Sequence, residues 1–99
     1  MNEERTRSDK SSCVTCALYK FVRLDNFKEL KKPLFEKMLD YSVYGTFLLA
    51  QEGINGTISG SIIATESILK WLSSWPGLDN IAVKRSFHSE IPFNRAKVK

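Results

Sequence analysis

Residues 43–60, with the sequence VYGTFLLAQEGINGTISG, contain two strand patterns joined by a short turn. The first, residues 43–50, is continuously apolar from Phe47 to Ala50, which is typical of a central strand. Residues 54–60 predict the next strand, and the turn between them contains glycine, which adopts backbone conformations closed to other residues. This hairpin predicts a domain built around an antiparallel sheet.

The residues before this hairpin predict one strand and one helix. Residues 17–24 combine aromatic and branched side chains in partial alternation, which predicts a first strand. Residues 27–32 favour a short helical turn, and Pro33 is expected to begin a helix, since a missing N–H costs nothing at that position. The buried stripe predicted on this helix comprises Leu34, Phe35, Met38 and Leu39.

The residues after the hairpin predict a second helix and a fourth strand. Ser61 is a candidate N-cap, and the proline and glycine at 76–77 end the helix. Residues 81–88 alternate in the manner of a half-buried strand, whereas residues from Glu90 onward show no periodicity. The buried stripe predicted on the second helix comprises Ile68, Leu69, Leu72 and Trp75.

The order strand, helix, strand, strand, helix, strand predicts a ferredoxin-like, acylphosphatase-like α+β sandwich. Right-handed crossovers fold such a chain into a four-stranded antiparallel sheet with both helices on one face, leaving the other face for solvent or a partner. Residues 1–12 have no apolar side chain after Met1. We therefore expect a disordered tail at residues 1–13 and a single domain at residues 14–99.

Composition excludes several classes of protein. The chain has 99 residues, of which 42% are hydrophobic and 26% charged, so it is not expected to be disordered as a whole. No apolar run approaches the roughly 20 residues needed to cross a bilayer. The charged N-terminus does not resemble a secretory signal, and two cysteines without an export signal favour a reducing compartment. We expect a soluble, cytoplasmic protein with no membrane partner.

The positive charge of the chain is concentrated at its C-terminal end. Residues 84–99 contain five basic residues and one acidic residue, and they account for the whole formal net charge of +4. Such a segment is typical of proteins that contact a phosphate backbone. The alternative is a solvated tail that keeps the domain soluble. The basic residues are Lys84, Arg85, Arg95, Lys97 and Lys99.

Cys13 and Cys16 have the C-x-x-C spacing of a redox pair or of half a zinc site. Zinc requires four ligands, and the remaining soft candidate is His88. We interpret the cysteines as incidental and the histidine as a surface side chain. No catalytic residue, metal or cofactor is expected in this domain.

Two functions known on this topology are not favoured by the residues. RNA-recognition domains stack bases on aromatic side chains of their first and third strands. Tyr19 and Phe21 suit the first strand, but the third has no aromatic or basic residue, so stacking of that kind is not expected. Acylphosphatases hold phosphate in the loop after the first strand, and residues 23–26 offer no glycine-rich cradle there.

The turn predicted at residues 52–57 is the most unusual local feature. Its glycines permit positive φ or close backbone approach, and a purely geometric role is the simplest interpretation. The side chains of Glu52 and Asn55 would nevertheless project from the end of the sheet and could hold a partner segment. The candidate turn or interface residues are Glu52, Gly53, Asn55 and Gly56.

Several stretches of the chain together resemble one family. They are residues 17–22 (ALYKFV), 33–34 (PL), 45–60 (GTFLLAQEGINGTISG), 83–86 (VKRS), 92–93 (PF) and 97–99 (KVK). The string Leu-Ala-x-Glu-Gly-Ile-Asn-Gly-Thr is long and specific. Over about residues 17–99 the chain is similar to the N-terminal region of the rhodanese-related tRNA uridine hydroxylases (TrhO, formerly YceA).

This resemblance implies an oxidoreductase that acts in tRNA modification. The family oxidises the wobble uridine of certain tRNAs to 5-hydroxyuridine in an oxygen-dependent reaction. Its members carry this domain ahead of a rhodanese domain, whose loop holds the essential cysteine. Cys13 and Cys16 precede the predicted first strand, so neither is equated with that cysteine. We therefore expect the chain to be a non-catalytic N-terminal domain without its rhodanese domain.

Two roles for such a domain remain open. In the first, it is an RNA-binding element that helps to position tRNA through phosphate contacts of the five C-terminal basic residues. In the second, it is an interaction module whose open sheet face and 52–57 turn pack on the rhodanese domain without touching RNA. The first role predicts RNA binding that weakens with salt, and the second predicts no RNA binding by this chain.

Overall fold

The computed structural model describes residues 12–99, which form five strands and two helices. The predicted tail residues 1–11 lie outside the described residues, whereas Cys13, placed in the tail by the sequence pattern, is the first residue of a strand. The strands are β1 (Cys13–Phe21), β2 (Tyr44–Ala50), β3 (Gly53–Ser61), β4 (Ala82–His88) and β5 (Ala96–Val98). The helices are α1 (Phe27–Tyr41) and α2 (Ile62–Ser73).

The strands form one mixed sheet in the order β4-β1-β3-β2-β5. The first four pair antiparallel, as predicted, but β5 adds a fifth strand parallel to β2, so the prediction of four antiparallel strands is wrong. The backbone N–H of Gly45 donates to the carbonyl of Arg95 over 2.6 Å, and that of Lys99 donates to the carbonyl of Phe47 over 2.8 Å. These bonds satisfy the otherwise open edge of β2.

The first strand begins four residues before its predicted start, 17, and ends at Phe21 instead of 24. Val14, Cys16 and Leu18 alternate into the core, so the period-2 pattern begins at residues that were predicted to belong to the domain but to precede its first strand. The missed signal is the cysteine, which behaves as a small apolar side chain when buried.

The first helix is continuous through Pro33, which the sequence analysis placed at its beginning. Proline has no N–H, so the carbonyl of Glu29, four residues earlier, receives no hydrogen bond from position 33. A proline inside a helix costs about 3 kcal/mol of stability. Burial of Leu30, Leu34 and Met38 on one side of α1 offsets this cost. The helix ends at Ser42, whose left-handed backbone (φ 55°) directs its N–H back to the helix.

The buried stripe of α1 follows a strict i, i+4 spacing, so the predicted stripe is half wrong. Leu34 and Met38 are buried as expected, together with Leu30, but Phe35 is partly exposed and Leu39 is 55% exposed. One residue along a helix is a rotation of about 100°, which carries these two side chains away from the sheet.

The second helix matches its prediction closely. The hydroxyl of Ser61 accepts a hydrogen bond from the N–H of Ala64 over 3.1 Å, which confirms the N-cap. Ile68, Leu69 and Leu72 are buried, as expected. Trp75 lies beyond the end of α2 and is only partly buried against the core. None of the helices in the described part of the chain is long and apolar enough to span a membrane.

Both helices cover one face of the sheet, and the other face, here called the open face, is covered only in part. Because β4 and β5 form opposite edges, the segment 89–95 must pass from one edge to the other. Phe93 of this segment lies beside Thr46 and Thr57 on the open face. Ser59 is fully buried and donates to the carbonyl of Val14 over 2.9 Å. Among the described residues of the open face, Ala17, Tyr19, Leu48 and Asn55 are exposed.

Candidate functional site

The five C-terminal basic residues are divided between the two edges of the sheet. Lys84 and Arg85 lie on β4, and Arg95, Lys97 and Lys99 lie in or beside β5. Four inter-strand spacings separate these edges, which is about 19 Å. The cluster that is continuous in sequence therefore forms two separate groups in the fold.

Arg85 lies on the helix-covered side of β4 and is paired with α2. Its Nε donates to Oε2 of Glu66 over 2.6 Å, and its Nη2 donates to Oε1 over 3.0 Å. These hydrogen bonds to Glu66 raise the pKa of Arg85 above its usual value. The guanidinium is therefore already neutralised, which makes Arg85 a weaker candidate for a phosphate contact than the sequence indicated.

The β5 edge gathers lysines that the sequence alone did not associate. A groove of about 510 Å³ runs between α1 and β5, and we call it the lysine groove. The missed residues, Lys31 and Lys32, lie in the part of α1 that was predicted to be only a short turn. The residues that line the lysine groove are Lys31, Lys32, Phe35, Lys97, Val98 and Lys99.

Four of the six residues that line the lysine groove are lysines. Within residues 12–99 the ion pairs are Arg23–Asp25 and Arg85–Glu66, so none of the groove lysines is neutralised by a described carboxylate. None of the acidic side chains of residues 12–99 lines the groove. Like charges brought together in this way favour a bound anion, because the anion relieves their mutual repulsion.

The open face carries two lysines at the ends of one cross-strand row. Lys84 pairs with Ala17, Ala17 with Thr57, Thr57 with Thr46, and Thr46 with Lys97. Side chains of directly opposed residues lie on the same face of a sheet, so both lysines project from the open face. Lys97 therefore belongs to the edge shared by the open face and the lysine groove.

The predicted 52–57 turn is shorter than expected. The turn consists of Gln51 and Glu52, and β3 begins at Gly53, so Asn55 and Gly56 are strand residues. Asn55 is exposed on the open face, opposite Tyr19, and does not adopt the left-handed conformation that a turn would favour.

The two glycines of this segment have geometric roles. Gly53 has φ +143°, and a Cβ there would meet the carbonyl oxygen of Lys20 at 2.0 Å. A Cβ at Gly56 would lie 2.6 Å from the carbonyl oxygen of Thr46. Both positions therefore require glycine so that neighbouring backbones can approach closely.

Cys13 and Cys16 do not form a paired site. Three residues along a strand separate their Cα atoms by about 10 Å and direct the side chains to opposite faces, beyond the reach of a disulfide. Burial raises the pKa of the Cys16 thiol, although Arg85 opposes this effect. His88 pairs with Cys13 across the strands. Within residues 12–99, no three His, Cys, Asp or Glu side chains form a group that could hold a metal ion.

The loop after β1 does not form an anion cradle. The N–H groups of Val22 and Leu24 donate to the carbonyls of Glu52 and Gln51, at 3.0 and 2.9 Å. Arg23 pairs with Asp25 at 2.8 Å, and this hydrogen bond lowers the pKa of the carboxyl group. Two backbone N–H groups of the loop and the Arg23 guanidinium are therefore engaged within the protein.

Comparison with known proteins identifies a family for the whole described domain. Residues 13–99 match the family described as UPF0176 acylphosphatase like domain. An acylphosphatase from Coxiella burnetii has a similar fold, with a TM-score of 0.55 and 14% identity over 93% of this chain and 96% of that chain.

Two BLUF proteins also share the fold. BlrB, a BLUF protein in its dark state, has a TM-score of 0.71 and 16% identity over 90% of this chain and 74% of that chain. The BlrP1 BLUF structure has a TM-score of 0.67 and 16% identity over 86% of this chain and 63% of that chain. This chain spans 24% of BlrP1 from Klebsiella pneumoniae in its calcium and cy-diGMP complex. At these identities the likeness establishes the fold alone.

Proposed function

Because the chain belongs to the UPF0176 (TrhO/YceA) family, of which residues 13–99 form the N-terminal acylphosphatase-like domain, we propose that it positions tRNA in an oxygen-dependent tRNA uridine hydroxylase. In this proposal the domain holds phosphates of the tRNA backbone. The oxidation of the wobble uridine to 5-hydroxyuridine takes place on a rhodanese domain that follows it.

The observation that carries this proposal is the lysine groove. Four lysines line it, none has a described carboxylate partner, and Phe35 and Val98 form its apolar floor. Ammonium groups on flexible stems suit the phosphates of a nucleic-acid backbone, which are spaced irregularly and differ in orientation. Such contacts supply affinity and register without reading sequence.

The side chains of this domain favour a role in binding over a role in the chemical step. Cys16 is buried with a raised thiol pKa, which opposes a nucleophilic role. Cys13 has His88 opposite it on β4 and Ser61 opposite it on β3, and within residues 12–99 no carboxylate joins the cysteine and the histidine in a group of three. The proposal therefore assigns binding to this chain, in the cytoplasm with tRNA as partner, and chemistry to the rhodanese domain.

The alternative is an interaction module that packs on the rhodanese domain without RNA contact. The observation that favours it is the exposure of apolar side chains on the open face, among them Phe21 and Leu48. This alternative predicts that the chain by itself has no affinity for RNA.

The salt dependence of tRNA binding tests the proposal. The chain is titrated with bulk tRNA at about 50 and 200 mM salt. Release of counterions from about four phosphates predicts that affinity falls by roughly 50- to 150-fold over this range. Absence of binding at the lower salt, or binding that ignores salt, would contradict a phosphate-holding role.

A further inference from the structure

Two aromatic rings are exposed on the open face. Both belong to β1, the strand next to the edge strand β4. Phe21 is 84% exposed and Tyr19 is 55% exposed, and both side chains project from the same face of β1. Their ring centroids are 5.8 Å apart with the planes at 62°. Adjacent exposed aromatic side chains form a contiguous apolar patch, and such patches mark interaction sites on protein surfaces.

These rings border a shallow cavity that also offers hydrogen-bonding groups. The cavity has a volume of about 470 Å³, and Leu48, Ala50 and Asn55 complete its open-face lining. The amide of Asn55 lies in the same cross-strand row as Tyr19 and Leu48. We call Tyr19, Phe21, Leu48 and Asn55 the aromatic patch. An amide beside a ring supplies both a donor and an acceptor for the polar edge of a planar ligand.

The charges around the aromatic patch select an anionic partner. The neighbouring row ends in Lys84 on one side and Lys97 on the other. The five described strands present no Asp or Glu on the open face, and Glu52 in the turn is the acidic residue that lines the cavity. An apolar protein surface would not exploit these lysines, whereas a strand of nucleotides presents bases and phosphates together.

We propose that the aromatic patch stacks an unpaired nucleobase of the RNA whose phosphates lie along Lys97 and the lysine groove. This inference rests on the proposed function and adds that the domain prefers single-stranded RNA to a duplex. Bases in a duplex are stacked on one another, so only an unpaired base exposes its face to the rings. Stacking was not expected from the sequence because β3 has no aromatic residue, yet both rings come from β1.

The test compares two RNA probes of matched length, a ten-nucleotide oligouridine and a blunt ten-base-pair duplex. The variant Tyr19→Ala/Phe21→Ala is expected to bind the single strand about tenfold or more weakly and the duplex within about twofold of the wild type. Tyr19→Phe/Phe21→Tyr keeps both rings and is expected to retain single-strand affinity. Leu39→Ala, which removes an exposed apolar side chain from α1, is the control.

The outcomes separate this inference from the proposed function. Equal loss on both probes, or no loss on the single strand, overturns the stacking site while leaving phosphate binding in place. Failure of the wild type to bind either probe overturns both. A wild type that sediments as a dimer, together with a monomeric Tyr19→Ala/Phe21→Ala variant, assigns the patch to a second copy of the chain and also overturns the stacking site. Circular dichroism confirms that each variant is folded.

Discussion

Arg85 on β4 and Glu66 on α2 form a two-point ion pair, with Nε–Oε2 at 2.6 Å and Nη2–Oε1 at 3.0 Å. The pair ties the edge strand of the sheet to the helix that covers it. Both side chains are more than a third exposed, so solvent screens their attraction. The main consequence of the ion pair is that Arg85, one of the basic residues of the C-terminal segment, already has its guanidinium bound to a carboxylate.

A double-mutant cycle measures this pair. We expect Arg85→Ala and Glu66→Ala each to lower the free energy of urea unfolding by about 0.5 kcal/mol, with a coupling energy of about 0.2–1 kcal/mol. Because Arg85 is already neutralised, Arg85→Ala should weaken tRNA binding less than Lys99→Ala does. A larger loss of tRNA affinity for Arg85→Ala would show that the arginine leaves Glu66 to contact phosphate.

Gly53 is expected to be among the positions of the sheet least tolerant of a side chain. Its φ of +143° and the 2.0 Å approach to the Lys20 carbonyl predict that Gly53→Ala lowers the unfolding free energy by at least about 2 kcal/mol. Gly77→Ala is the matched control, since Gly77 has φ +88° but its nearest neighbour lies at 3.6 Å. Urea unfolding should rank Gly53→Ala as the more damaging, and equal losses would mean that backbone strain alone matters.

Neighbouring residues on α1 should differ sharply in their effect on stability. Met38 is fully buried and Leu39 is 55% exposed. Met38→Ala leaves a cavity and is expected to lower the unfolding free energy by about 2–5 kcal/mol. Leu39→Ala should change it by no more than about 0.5 kcal/mol. Comparable losses of unfolding free energy for the two variants, in thermal or urea unfolding, would mean that α1 presents a different side to the sheet than described.

The two cysteines should react at different rates. Cys16 is fully buried and its thiol pKa is raised by burial, whereas Cys13 is only half-buried. An aromatic disulfide reagent at about pH 8 should therefore modify one thiol rapidly in the native chain and two after unfolding in urea. Rapid loss of both thiols in the native chain would contradict the described burial.

The same pKa shift predicts a pH dependence of stability. Above the ordinary thiol pKa of 9.0, the unfolded chain releases the Cys16 proton more readily than the folded chain, in which the pKa is raised. The unfolded state then binds fewer protons, so stability falls as pH rises. Cys16→Ala should flatten this decline at pH values above about 9. An identical decline in the variant would assign it to other groups.

Local signals in the sequence were sufficient to predict the β2–β3 hairpin and the helix α2. The apolar run before Ala50 and the serine N-cap at Ser61 act within a few residues, and both are confirmed. The fifth strand could not be predicted in this way, because three residues carry no detectable alternation and the pairing of Phe47 with Val98 depends on tertiary contact. The pairing of β5 with β2 also places β5 beside α1.

The candidate site was predictable only in part, for a related reason. Lys97 and Lys99 were recognised from the local excess of charge, which is visible in sequence. Lys31 and Lys32 lie more than sixty residues away in the chain and join them only because α1 packs against β5. Continuity in sequence was equally misleading for Lys84, which the sheet places at the opposite edge.

The most direct test of tRNA positioning compares two double charge reversals with equal change in net charge. Lys31→Glu/Lys99→Glu alters the lysine groove, and Lys37→Glu/Lys70→Glu alters the side of the domain formed by α1 and α2. We predict that the groove variant loses at least about tenfold in tRNA affinity at 50 mM salt and that its salt slope falls by about 2, while the control stays close to wild type. Equal losses in the two variants would mean that only overall charge attracts tRNA and would contradict a defined binding groove.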